Sequence, residues 1–167
     1  GRGPRLDTDA GTTKSFAMIT NSQSGTNIEE VASGIYRINT PIPIPGAGTF
    51  NFNQYLVVDE APLLFHTGQH GLFPLVLQAI ESVMPVSRLR YVAFSHFEAD
   101  ECGALNLVLD AAPDAVPLAG MVGARTTIGE YAKRPVCGLR DGERIVLGRH
   151  RVSARRRRLR GAQGDRQ

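Results

Sequence analysis

At 167 residues the chain is long enough for one domain with a substantial core and too short for two. Its 42% hydrophobic and 21% charged content suit a globular protein, and no apolar run reaches the ~18 residues that a membrane-spanning helix requires. The formal charge of +3 hides a division: residues 1–148 carry eleven Lys and Arg against fifteen Asp and Glu, a balance of −4, whereas residues 149–167 carry eight arginines and one aspartate, a balance of +7. The body is mildly acidic and the end is basic. No charged-then-apolar export signal opens the chain, so Cys102 and Cys137 read as reduced thiols and the expected location is cytoplasmic.

In chain order, residues 1–29 show no periodicity and predict a disordered segment, with order beginning near Glu30. Val31 to Asn39 alternates loosely and predicts a strand. The following Thr40 to Gly46 carries Pro41, Pro43 and Pro45 in alternation and predicts an extended loop outside any ladder. Phe50 to Val58 and Leu63 to Phe65 predict two strands of a hairpin turning over Asp59 to Pro62. Apolar residues spaced along Phe73 to Met84 predict a helix stopped by Pro85.

Leu89 to Phe94 predicts a short buried strand, and Glu101 to Ala111 a helix ended by Pro113. Ala115 to Leu118 predicts a further strand, Met121 to Tyr131 a helix, and Arg144 to Val152 a hairpin around Gly148. Strands alternating with helices imply an α/β layer with partly parallel pairing, the domain running over 30–152. Residues 153–167 predict a solvated Arg-rich tail. Its abrupt composition reads as an unselected end, such as a frame change, ahead of a segment binding nucleic acid or an acidic partner.

The chemistry concentrates at Ser95 to Asp100, directly after a predicted strand. In extended backbone residues i, i+2 and i+4 share a side, so His96, Glu98 and Asp100 can converge while Phe97 and Ala99 face away. Fully extended, the ends of that run lie about 13 Å apart at ~3.3 Å per residue. One ion cannot span that distance, so either the loop curls or the ligands serve two ions. One imidazole with carboxylates is an oxygen-rich set suited to iron or manganese and tolerated by zinc. The plain alternative is a hydrogen-bonded loop histidine with Asp100 as a helix cap.

Gly34 to Ile38, Gly48 to Gly68 and Tyr91 to Asp100 together resemble the metallo-β-lactamase superfamily. Within it, His-x-Glu-x-Asp is similar to the flavodiiron, oxygen-binding di-iron branch, whereas hydrolase branches carry His-x-His-x-Asp-His. The resemblance covers about Val31 to Val152. It implies the first half of a four-layer αβ/βα sandwich, with His96 and Glu98 on one iron and Asp100 on the other. It further implies that full-length relatives reduce dioxygen or nitric oxide with electrons from a flavin-type donor, whereas this chain would be inactive or bind metal very weakly. The missing half sandwich would leave one sheet face exposed, which predicts a homo-oligomer or another partner.

Two departures stand out. Glu101 replaces the histidine that usually follows the aspartate, and reads as a further ligand or as a favourable charge in the helix's first turn. The next histidine, expected around 160–165, is absent, so the chain reads as a truncated, incomplete metal site. His66 and His70 sit in a turn that is structural in the family, and His150 suits a solvent-facing edge. Cys102 is placed in the surroundings of the site or as an inert buried thiol, and Cys137 has no partner motif. A metal-dependent hydrolase and a non-enzymatic chain with a binding tail are the alternative functions.

Overall fold

The structure, a computed structural model, describes residues 15–155. The expectations for residues 1–14 and for the arginine run beyond Arg155 lie outside the described residues. Eight strands form one mixed sheet in sequence order: β1 (Met18–Asn21), β2 (Thr26–Ala32), β3 (Ile35–Ile44), β4 (Gly48–Val57), β5 (Leu63–Phe65), β6 (Tyr91–Ala93), β7 (Val116–Gly120) and β8 (Cys137–Leu139). Neighbours from β1 to β5 are antiparallel, and those from β5 to β8 are parallel. A separate antiparallel hairpin joins β9 (Arg144–Val146) to β10 (Arg151–Ser153) across Gly148, whose φ of +134° favours glycine. Helices α1 (Phe73–Glu81), α2 (Ala99–Cys102), α3 (Leu105–Ala111), α4 (Met121–Arg125) and α5 (Thr127–Tyr131) fill the crossovers. Among the described residues no helix is long and apolar enough to cross a membrane.

Strand parity builds two cores. Leu56, Leu64 and Val92 are direct register partners and face one way. With Ile28 and Ile38 they pack on Val76 and Ile80 of α1 and Leu105, Val108 and Leu109 of α3. The opposite parity aligns Val57, Leu63 and Tyr91, and Leu147 and Ile145 of the last hairpin cover that face together with Leu118 and Leu139. The expected α/β architecture is therefore present as a helix layer, a mixed sheet and a hairpin on the second face. The cover is partial: Val31, Tyr55 and Val116 on this side are exposed.

Four local expectations differ from the structure. Strands begin at Met18, well ahead of Glu30, because polar residues conceal the pattern in 18–29. Only Thr26 and Ile28 turn inward, and Asn21 Oδ1 closes the hairpin by accepting from Ser24 N at 2.9 Å. The proline run is in the ladder, with Pro41 paired to Asn51 and Pro43 to Thr49. Both prolines have the same parity, so their missing N–H groups fall on one strand edge, and β3 has no β2 register partner beyond Asn39, where Thr26 reaches Thr40 through their hydroxyls at 3.1 Å.

The helix expected over 101–111 divides because Ala104 N leaves the helical ladder for Gly68 O at 3.0 Å and Thr67 Oγ1 at 3.2 Å. That over 121–131 breaks at Thr126, with φ −126° and ψ −98°, and β8 was not anticipated.

Asp59 clasps the last hairpin. Its Oδ2 accepts from the backbone N–H of His150 at 2.8 Å and lies 2.6 Å from Nδ1, while Nε2 of the same ring lies 2.8 Å from Ser33 O. His150 is thus tied into the fold and is not left to solvent. The His150 N–H above all, aided by its ring and the N–H groups of Glu60 and Arg149 against the cost of burial, holds the Asp59 carboxyl far below the usual range. A depressed carboxylate contributes stability that is complete above the unfolded value of about 4 and is lost as pH falls below it. The protection factor of the Leu147 amide, whose N–H donates to His150 O at 2.9 Å, is expected to fall selectively as pH drops through that range, and Asp59→Asn is expected to flatten the dependence. Equal acid sensitivity in the variant would refute the clasp.

Candidate metal centre

Because β5 and β6 are parallel neighbours, with Phe65 opposite Ala93, their carboxyl ends deliver two turns to one sheet edge. Open α/β sheets place their sites at this edge. The first turn is His66-Thr67-Gly68. His66 has φ +65°, unusual for a side chain with a Cβ, and its N–H continues the ladder to Ala93 O at 2.8 Å. Gly68, at φ +80°, sits so that an added Cβ would meet Gln54 Nε2 at 3.1 Å. The second turn runs from Phe94 to Glu98, after which α2 begins.

Glu101 joins the two turns. Its backbone carbonyl accepts from Thr67 N at 2.6 Å and Thr67 Oγ1 at 3.1 Å. Its carboxylate folds back over the loop: Oε2 accepts from His96 N at 2.6 Å and Ser95 Oγ at 3.0 Å, and lies 3.6 Å from His66 Nε2. Oε1 lies 3.4 Å from His96 Nδ1. Ser95 Oγ stands among these groups, 2.9 Å from His96 Nδ1 and 3.1 Å from His66 Nε2. Burial disfavours the charge on Glu101, yet the Ser95 hydroxyl, the His96 N–H and His66 together hold it below the usual carboxylate range. Burial pushes the His66 imidazole below its ordinary range, against the opposing pull of Glu101 and Asp100.

The predicted residues occupy different positions in this arrangement. The His96 side chain is about half exposed (48%), and its hydrogen bonds use Nδ1, with none to Nε2 among the described residues. Glu98 is exposed at the N-cap of α2 and makes no side-chain cap bond. Asp100 lies in the first turn of α2, beside a shallow cleft also bounded by Ile44, Phe50, Phe52 and Gln69. Glu101 turns away from that cleft to the His66 side. Cys102 is buried with its thiol 3.2 Å from Glu98 O, and burial, then the charge of Glu101, pushes its pKa up. Cys137 is exposed, and His70 opens an exposed 3-10 turn, His70–Leu72.

Among the described residues, no three His, Cys, Asp or Glu side chains gather closely enough to hold an ion. In kind, the donors fit iron: a free imidazole nitrogen with oxygen ligands, and no thiolate cage. In number they furnish only part of a two-ion centre.

The sequence marks His66 only as a structural turn residue, whereas the structure brings it against Ser95 and Glu101, beside His96. The available signal was topological: parallel strands ending in Phe65 and Ala93 must bring the next residues together.

The fold and this edge define a protein of the metallo-β-lactamase fold. Within that class the likeness is to flavodiiron proteins, over the N-terminal part of their chains. The rubredoxin-oxygen oxidoreductase of Megalodesulfovibrio gigas is 29% identical over 104 residues, spanning 61% of this chain and 26% of that protein. The solved structure of a rubredoxin oxygen:oxidoreductase from Desulfovibrio gigas superposes with a TM-score of 0.65 at 23% identity, covering 75% of this chain and 34% of that one. The putative diflavin flavoprotein A 2 of Nostoc sp. is 28% identical over 102 residues, 59% of this chain and 17% of that protein. A metallo-beta-lactamase variant from Cronobacter sakazakii shares the fold at a TM-score of 0.59 and 18% identity, covering 75% and 52% of the two chains. The chain thus spans about a quarter of the length of the first curated relative or less. No family model matches it.

Proposed function

We propose that this chain supplies the opening part of an iron-binding oxidoreductase site of the flavodiiron type. His96 and Glu98 are assigned to one ion and Asp100 to a second, with dioxygen or nitric oxide as substrate and a flavin-type donor as electron source. The observation that carries the reading is the placement of His96, Glu98 and Asp100 at the carboxyl end of parallel β6, with His96 Nε2 unengaged, in a fold shared with flavodiiron proteins. Iron at such a site would supply one-electron chemistry toward a bound diatomic gas. The chain's own part is narrower. Ser95, Glu101 and Thr67 hold the loop in shape, His96 offers a nitrogen lone pair, Glu98 offers an exposed carboxylate at the N-cap of α2, and Asp100 offers one beside the cleft. Manganese or zinc would suit the same donors.

The reading is tested by loading the full chain with ferrous iron without oxygen, counting retained ions, and following uptake of dioxygen or nitric oxide with reduced flavin as donor. Because the ligand set of the described residues is partial, weakly retained iron is expected, without gas consumption above the flavin-only rate. No iron retention would contradict the reading. Preferential zinc uptake with turnover of a thioester or lactam would contradict it in favour of the hydrolase branch.

A further inference from the structure

We propose that Glu101 is a positioning residue for His96: through Ser95 and directly, its carboxylate fixes the imidazole with the proton on Nδ1, leaving the Nε2 lone pair as the atom that meets a metal ion. The proposal rests on the reading of His96 as a ligand and replaces the reading of Glu101 as a further ligand. An ionised carboxylate accepts hydrogen bonds and donates none. At 3.0 Å the Ser95 hydroxyl donates to Glu101 Oε2, while the Ser95 backbone N–H serves His66 Nε2 at 3.4 Å. That leaves lone pairs of Ser95 Oγ toward His96 Nδ1 at 2.9 Å. Glu101 Oε1, at 3.4 Å from the same nitrogen, is also an acceptor only.

Both neighbours of Nδ1 are thus satisfied by one proton on it. A neutral imidazole has a single N–H, so Nε2 is bare. Carboxylates that hold a ligating histidine by its other nitrogen set ring orientation and basicity in this way. The carboxylate is itself held in place. Thr67 ties down the Glu101 carbonyl twice, the His96 N–H engages Oε2 at 2.6 Å, and the side chain is only 15% exposed.

The test uses the full chain, the variants Glu101→Gln, Ser95→Ala and Ser95→Thr, and cobalt(II) as the probe. Long-range proton–nitrogen NMR on the metal-free protein reads the His96 tautomer, which a merely structural role would leave alone. Wild type and Ser95→Thr are expected to hold the Nδ1–H form, and Glu101→Gln, whose amide can donate, to lose it. Cobalt affinity is expected to fall about 10–100-fold in Glu101→Gln and Ser95→Ala, with circular dichroism unchanged.

An unchanged tautomer in Glu101→Gln overturns the proposal, as does a complete loss of cobalt in that variant with the Nδ1–H form retained, which would make Glu101 a ligand. A wild type that binds no cobalt, yet loses the Nδ1–H form on Glu101→Gln, supports the brace and overturns the ligand reading alone.

Discussion

His96→Ala is expected to remove saturable uptake of cobalt(II) or iron(II) altogether, with melting temperature nearly unchanged. The residue is half exposed and its loss opens no cavity, so the fold should tolerate the change. Of the other three histidines, His70 lies on an exposed turn and is covered by a parallel His70→Ala control, and the remaining two are committed elsewhere. The His66 ring faces Ser95 and Glu101 and stacks on Phe65 at 4.3 Å, while both nitrogens of the His150 ring are held by Asp59 and Ser33. Glu98 and Asp100 without an imidazole form an oxygen-only pair, which binds such ions weakly. A calorimetric titration of both proteins decides the matter, and equal binding curves would show that the ion sits elsewhere.

Leu64→Ala is expected to cost about 2–5 kcal/mol. Leu64 is fully buried at the centre of the sheet, between Leu56 and Val92 in register and beneath the helix layer. Removing its branched end deletes contacts on both strand neighbours, and neither neighbour can close the gap without shifting the ladder. Against a domain stability of about 5–15 kcal/mol, the loss is a large fraction. The urea midpoint should fall with the slope preserved. The effect should also reach the site, because His66 follows β5 directly. A midpoint within experimental error of wild type would mean that β5 is not the centre of the core.

Much of this arrangement is legible in residues. Leu63 to Phe65 falls between turn signals and emerges as β5 with the predicted bounds, and the Gly148 hairpin forms where expected. The proline run misled because proline content alone does not reveal parity. Pro41 and Pro43 remove N–H groups from one edge only, which β2 mostly leaves unpaired beyond Asn39. The three residues of β8 follow Pro135 and include Gly138, so their apolar signal is too short to stand out. At the site, His-x-Glu-x-Asp is legible because its spacing is local. The fold of Glu101 onto Ser95 and His96 is not, since it depends on a curled loop, and the pairing with His66 depends on a parallel neighbour 29 residues away from Ser95.

The most direct measurement of the central claim is X-ray absorption at the metal edge of the cobalt- or zinc-loaded chain. The account predicts a first shell of nitrogen and oxygen near ~2.0–2.2 Å with imidazole scattering that vanishes in His96→Ala. A sulfur shell near ~2.3 Å, or imidazole scattering that survives the substitution, would contradict it.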